Sequence, residues 1–153
     1  MKKIFIIFFI ILINFSNVKA ELKKPNNIIL PIQVVEIQLS GLMKNDQYYK
    51  DSGIEQTWNF AHPNNKKYTG PLEKFKMMLK GESYSMLLNH IDNKIKEVFI
   101  SEKIATFEVI ILDVEKKYYK FKWQVEKYSK DGPLKDCWLT TAVSQPIEMS
   151  SSI

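Results

Sequence analysis

The sequence predicts an α+β fold in which N-terminal helices pack on one face of a curved antiparallel sheet. Two observations predict it. Between Pro31 and Gly81 apolar residues recur every three or four positions, the spacing of a helix face, and from Tyr84 onward the period shortens to two. The connections between the later segments are short and carry turn residues, which suits hairpins rather than crossover helices.

Glu21 to Leu30 (ELKKPNNIIL) holds Pro25 and an Asn pair before any clear period and reads as a flexible lead-in. From Pro31, the residues Ile32, Val35, Leu39, Leu42 and Met43 mark one helix face, with Pro31 in the first turn where its missing N–H is not needed. The β-branched Ile32, Val34, Val35 and Ile37 would also suit a strand. Asn45-Asp46 ends this helix, and Asp51-Ser52 offers side-chain acceptors to start a second. There Ile54, Trp58 and Ala61 share a stripe, and Pro63 is the stop. His62 to Tyr68 reads as a loop with His62 exposed. Thr69-Gly70-Pro71 launches a third helix with Leu72, Phe75 and Leu79 on one face and Gly81 at its end.

The strands follow. Tyr84 to His90 is read as the first, Asp92-Asn93 as a turn, then Ile95 to Ser101 and the long β-branched run Lys103 to Asp113. The clearest alternation is in Tyr118 to Glu126, where Tyr119, Phe121, Trp123 and Val125 interleave with Lys120, Lys122, Gln124 and Glu126. Asp131-Gly132-Pro133 turns the chain into a last strand, Cys137 to Val143. The organisation is thus one α+β domain over residues 31–146, followed by a polar tail at 147–153.

Residues 1–20 are set apart from the fold. Lys2 and Lys3, the apolar run Ile4 to Ile13 and the small-residue end Val18-Lys19-Ala20 form the three-part pattern of a secretory signal peptide cleaved after Ala20. Its apolar core is about half the roughly 20 residues that span a bilayer. This implies an exported protein with no membrane partner after cleavage, and the periplasm is the compartment that a leader without a lipid-attachment Cys suits. The remaining chain is the size of one domain and buries roughly two-thirds of its unfolded surface.

Net charge is +5, falling to +2 without the leader, because Lys2, Lys3 and Lys19 leave and no acidic residue does. Every basic residue is Lys. Without the planar fork of Arg, nucleic acid is a poor partner for this chain. The single cysteine, Cys137, has no internal disulfide partner and lies in an apolar run, as a buried, inert thiol would. His62 and His90 are the only histidines, and no Cys pair or spaced His pair exists, so no metal site is expected. Nor do the five glycines build a phosphate loop, a dinucleotide fingerprint or a nucleophile elbow, and no cofactor is expected.

Several stretches form a recognisable order: QxxxLxxND from Gln38 to Asp46, DxGIExxWxFAxPxNxxxTGPxxxFxxML from Asp51 to Leu79, YxxLLxH from Tyr84 to His90, FxWxxxK from Phe121 to Lys127, and CWLTxxV from Cys137 to Val143. Over about Pro31 to Pro146 the chain resembles a family of small bacterial and plant proteins known as domain of unknown function 4864, within the nuclear-transport-factor-2-like superfamily. The resemblance implies a cone, also described as cystatin-like, in which a strongly bent antiparallel sheet wraps over the helices and leaves a pocket at its open end. It attaches no reaction to the chain, since that superfamily contains isomerases, dehydratases, ligand binders and interaction modules.

If the chain forms such a cone, Trp58, Trp123 and Trp138 or Cys137 fill it or line a cavity within it. Core packing and an aromatic-lined cavity for a small, largely apolar ligand are the two readings. The nearest polar groups for a cavity are Asn59, Tyr84, His90 and Thr140. The alternative is a proton-transfer enzyme of the isomerase or dehydratase kind, with Tyr84 as hydrogen-bond donor and Glu108, Asp46 or His90 as base. Glu108 decides much of this. It shares a strand face with Ile104, Thr106, Ile110 and Leu112, and the period alone leaves open whether that face or the one carrying Ala105, Phe107, Val109 and Ile111 points inward. A homodimer through the open sheet face also stands, with Tyr118 and Tyr128 in an exposed patch, although Lys120, Lys122, Gln124 and Glu126 disfavour a large apolar face there.

Overall fold

The computed structural model describes residues 21–150, so the leader assigned to residues 1–20 lies outside the described residues. Four helices come first: α1 (Pro31–Met43), α2 (Ser52–Asn59), α3 (Pro63–Thr69) and α4 (Leu72–Lys80). Five strands follow: β1 (Asp92–Ile100), β2 (Ile104–Leu112), β3 (Tyr118–Lys127), β4 (Trp138–Val143) and β5 (Ile147–Met149). They form one antiparallel sheet in the order β1-β2-β3-β4. Along the outer edge of β3, β4 pairs with Trp123–Lys127 and β5 with Tyr118–Lys120, so the two short strands run end to end. The architecture is therefore α+β, helices before strands.

Four expectations are corrected, the first being the turn at Asp92-Asn93, which pairs with Leu112 and Ile111 as the start of β1. Tyr84 to His90 is not a strand. Its backbone closes i→i+3 turns, with the Leu87 N–H on Tyr84 O and the Leu88 N–H on Ser85 O, and Asn89 at φ 57° ends the segment. The expected loop at His62 to Tyr68 is α3, entered through Pro63 at its first position. The expected polar tail supplies β5 over Ile147–Met149. The lead-in is tied at one point: the Lys23 N–H donates to Gln56 Oε1 (2.8 Å), and Gln56 Nε2 donates back to Lys23 O (2.9 Å).

α1 forms in spite of its β-branched residues because Val34, Val35, Leu39 and Leu42 are buried on one side while Gln33, Glu36 and Ser40 stay exposed. Burial of such a stripe outweighs tenths of a kcal/mol per residue of propensity. On the sheet, Ala105, Phe107, Val109 and Ile111 of β2 and Phe121, Trp123 and Val125 of β3 are buried and join the helices in one core. The open question of the β2 register is thereby answered. Glu108 faces away from the helices, in register between Lys96 and Lys122, with its carboxylate 3.7 Å from the Lys120 ammonium. β1 is an edge strand, and Val98, Phe99 and Ile100 are each at least half exposed.

The turn between α1 and α2 is held by a polar knot rather than by a side-chain cap. Asp51, at φ 65°, makes no cap hydrogen bond. Its carboxylate instead meets Lys80 Nζ at 2.6 Å and Asn45 Nδ2 at 3.3 Å. Burial pushes the Asp51 carboxyl up, but the hydrogen bonds from Lys80 and Asn45 outweigh it and leave it below the usual range. Inside this turn α1 and α2 touch backbone to backbone, since a Cβ on Gly53 would lie 2.0 Å from Gly41 O and 2.8 Å from Asn45 Cα. Neither backbone can yield as a flexible side chain would. Gly53→Ala is expected to lower unfolding stability in urea by about 3 kcal/mol. Gly41→Ala, whose Cβ would meet only Gly53 O and the Gln56 side chain at 3.2–3.3 Å, is expected to cost less than half of that. Equal losses would sink the backbone-contact account.

Candidate binding cavity

The packing of helices on the sheet leaves one space of about 100 Å³ between α1, α2, α3 and α4 on one side and β3 and β4 on the other. Its apolar wall includes Leu42, Phe75, Leu79, Leu87 and Val143, and the half-buried Asn65, Thr69, Met78 and Tyr84 form part of its rim. The polar floor is a closed cluster. Thr140 Oγ1 donates to Gln38 Oε1 at 2.6 Å, Trp123 Nε1 donates to the same oxygen at 3.0 Å, and Gln38 Nε2 donates to Thr57 O at 3.0 Å. Gln38, Trp123 and Thr140 are all essentially removed from solvent.

Each partner reaches the floor for a local reason. Gln38 lies one turn from both Val34 and Leu42 on the buried face of α1, and Trp123 belongs to the inward-facing alternation of β3. Thr140 immediately precedes a bulge at Thr141, where β4 shifts against β3 between Gln124 and Val125. On the rim, the Tyr84 hydroxyl donates to Val143 O at 3.4 Å and accepts from Gln145 Nε2 at 3.3 Å. Burial raises the Tyr84 pKa, which keeps the phenol a neutral donor.

Of the residues picked out from sequence for the cavity, Tyr84, Trp123 and Thr140 line it, and Trp58, Asn59, His90 and Trp138 do not. Trp58 is a wedge between helices. Its ring packs on Phe75 with centroids 5.1 Å apart, lies under Lys66 Nζ at 5.1 Å, and approaches Gly70 so closely that a Cβ there would be 2.6 Å from Cη2. Burial against this ring lowers the Lys66 pKa. Trp138 is buried in the same core, beneath Lys127 Nζ at 5.3 Å.

His90 is a buried structural histidine. Its Nδ1 lies 2.7 Å from Leu87 O, which only accepts, so Nδ1 carries the proton and Nε2 accepts from Asn93 Nδ2 at 3.0 Å. Of the proton-transfer set, Glu108 is on the opposite face of the sheet and Asp46 is exposed on the α1–α2 turn, leaving Tyr84 alone at the cavity. Cys137 is buried, as expected, and burial raises its thiol pKa. Tyr118 begins β3 and Tyr128 follows its last residue, roughly 30 Å away at about 3.3 Å per residue, and the two form no common patch.

His62, expected to be exposed, is buried. Its Nδ1 accepts the Asn64 N–H at 3.0 Å and so caps α3, while its ring meets Tyr128 edge-on at 5.4 Å. The sequence signals that were missed are Gln38, a polar side chain on an otherwise apolar helix stripe, and His62 directly before Pro63. No family model matches this chain, and no curated protein or solved structure matches it either.

Two outcomes follow from these contacts. Gln38→Met keeps the shape of the side chain but takes the acceptor from the Thr140 hydroxyl and leaves the Trp123 N–H only Thr140 Oγ1 at 3.3 Å. The Thr57 carbonyl keeps the Phe60 N–H, and the variant is expected to cost about 2 kcal/mol in urea unfolding. A loss no larger than that of an exposed substitution such as Gln33→Met would refute the role given to the cluster. Burial lowers the pKa of both His62 and His90 from the ordinary 6.5. Between each lowered value and 6.5 the unfolded chain binds more protons than the folded one, so stability rises with pH across that window. The urea midpoint should therefore fall on going from about pH 7.5 to about pH 5.5, and less so in a His62→Asn, His90→Asn double variant. An unchanged midpoint would contradict this.

Proposed function

We propose that the chain is an exported, non-catalytic binding protein of the nuclear-transport-factor-2-like cone type, working in the periplasm. In this reading a small, largely apolar ligand places one group in the cavity. The observation that carries it is the apolar chamber of about 100 Å³ with a fully paired polar floor and a rim of Asn65, Thr69 and Tyr84. Helices before an antiparallel sheet with two register shifts, in β1–β2 and β3–β4, support the cone, since bulges bend a sheet.

Volume sets the ligand class. A cavity of about 150 Å³ lined by Leu, Ile and Phe takes one benzene, and pockets for drug-sized molecules start near 300 Å³. The chamber accordingly accepts a short alkyl or thioether group, and the rest of the ligand lies across the rim, where Tyr84, Asn65 and Gln145 offer hydrogen bonds. Proton transfer has less support, because the base it calls for is neither Glu108 nor Asp46 at the chamber and His90 has both ring nitrogens engaged. A homodimer is a separate reading, favoured by the exposed Val98, Phe99 and Ile100 on edge strand β1, where two-fold self-pairing would satisfy the free backbone groups. Light scattering on the wild type and on Val98→Lys, Ile100→Lys checks it, and a monomer at high concentration would dismiss it.

Native mass spectrometry of residues 21–153 purified from a periplasmic extract tests the binding reading. A co-purifying small molecule is expected with the wild type and is expected to be lost in Val143→Trp, which fills the chamber from its rim. A bare polypeptide mass, together with no shift of the Leu79 and Leu87 methyl resonances under xenon pressure, would overturn it.

A further inference from the structure

α3 differs from the other helices in how it is attached. It has seven residues and buries none of them, so no apolar stripe holds it to the core. Its sequence after Pro63, Asn-Asn-Lys-Lys-Tyr-Thr, explains why. What fixes it is a short series of polar contacts. The His62 N–H donates to Thr140 O at 2.8 Å, Asn65 Nδ2 reaches the same carbonyl at 3.3 Å, Lys66 lies over Trp58, and His62 Nδ1 accepts the Asn64 N–H. Yet this loosely held helix supplies Asn65 and Thr69 to the wall of the chamber.

The capping contact depends on protonation. An Nδ1 that accepts from a backbone N–H must carry a lone pair, so the ring is neutral with its proton on Nε2. A second proton goes to Nδ1 and turns the acceptor into a donor facing another donor. The contact is then lost, and the start of α3 loses its partner for an otherwise unpaired N–H. We propose that α3 is a lid over the chamber and that protonation of His62 opens it.

The groups around the ring are few. On β3, Glu126 favours the charged imidazole, and beyond the strand Lys130 opposes it. Tyr128 meets the ring edge-on, and Lys66, one turn on in α3, has its ammonium over Trp58 instead. Desolvation is the largest influence and favours the neutral ring. The lid is therefore closed near neutral pH and opens on acidification. That a ligand escapes through it rests on the binding reading above, whereas the lid's own titration does not.

Amide hydrogen exchange followed by NMR tests the proposal without any ligand. Between about pH 7.5 and pH 5.5, protection of the Lys66 and Gly70 amides, corrected for intrinsic exchange, should fall about fivefold in the wild type, the factor expected from loss of one cap. Protection in α1 should change less. In His62→Asn, whose side-chain oxygen can cap but not titrate, α3 should keep its protection at both pH values. Equal protection in the wild type at both pH values, or the same fall in His62→Asn, would overturn the proposal. Should the variant not fold, long-range proton–nitrogen correlation on the wild type decides: a proton arriving on His62 Nδ1 with no loss of α3 protection also overturns it. A titrating lid with no ligand found by mass spectrometry would leave the lid standing and remove only the binding reading.

Discussion

The rest of the structure depends on one buried amide. Gln38 receives the Trp123 N–H of β3 and the Thr140 hydroxyl of β4 on one oxygen and gives a hydrogen to the Thr57 carbonyl of α2. Apolar burial is non-directional, and a layer of helices held to a sheet by it alone can slide by a residue at little cost. A buried amide with three directed bonds permits one position, because each bond left unmade costs about 1–3 kcal/mol. The same three side chains, Gln38, Trp123 and Thr140, form the floor of the chamber. The chamber is thus bounded by the cluster that sets the register of the two layers.

The two faces of the sheet divide the chemistry of the chain. The inward face of β2 is apolar throughout, and the outward face carries Lys96, Lys120 and Lys122 around Glu108. That carboxylate is flanked by cations and lies outside the space between the two layers. The helix side of the sheet carries neutral donors and acceptors, those of Gln38, Trp123 and Thr140, in the space between the layers. Phase along β2 separates these two outcomes, and a shift by one residue would have brought Glu108 into the core.

Much of the fold was legible in the sequence because it rests on period. The α1, α2 and α4 stripes, the β2 and β3 runs and the Asp131-Gly132-Pro133 turn all follow from apolar spacing and turn residues. The failures lie where period is silent or misleading. Tyr84 to His90 has strand-like residues but no neighbouring strand to pair with, so its amides close local turns. α3 buries nothing and hence has no stripe to detect, although Pro63 at its first position and a capping side chain before it were both readable. The phase of β2 required the partner strands. Trp58 was drawn toward the cavity by its size, whereas its ring is consumed in holding Phe75, Lys66 and Gly70 together.

The chamber itself has an energetic meaning. The chamber opens at a rim of half-buried side chains, so water reaches its polar floor and its apolar wall lacks the close contacts of the surrounding core. Phe75, Met78 and Leu79 line it from α4, a helix whose sequence would accept a larger residue at Met78, so the space is not forced by the backbone. Any group that enters restores the missing contacts and stabilises the folded chain by mass action, in proportion to the logarithm of its concentration over its dissociation constant. Filling and stability are therefore the same quantity in this fold. The helix that closes the chamber is the one with the least apolar burial, so opening it disturbs the core least.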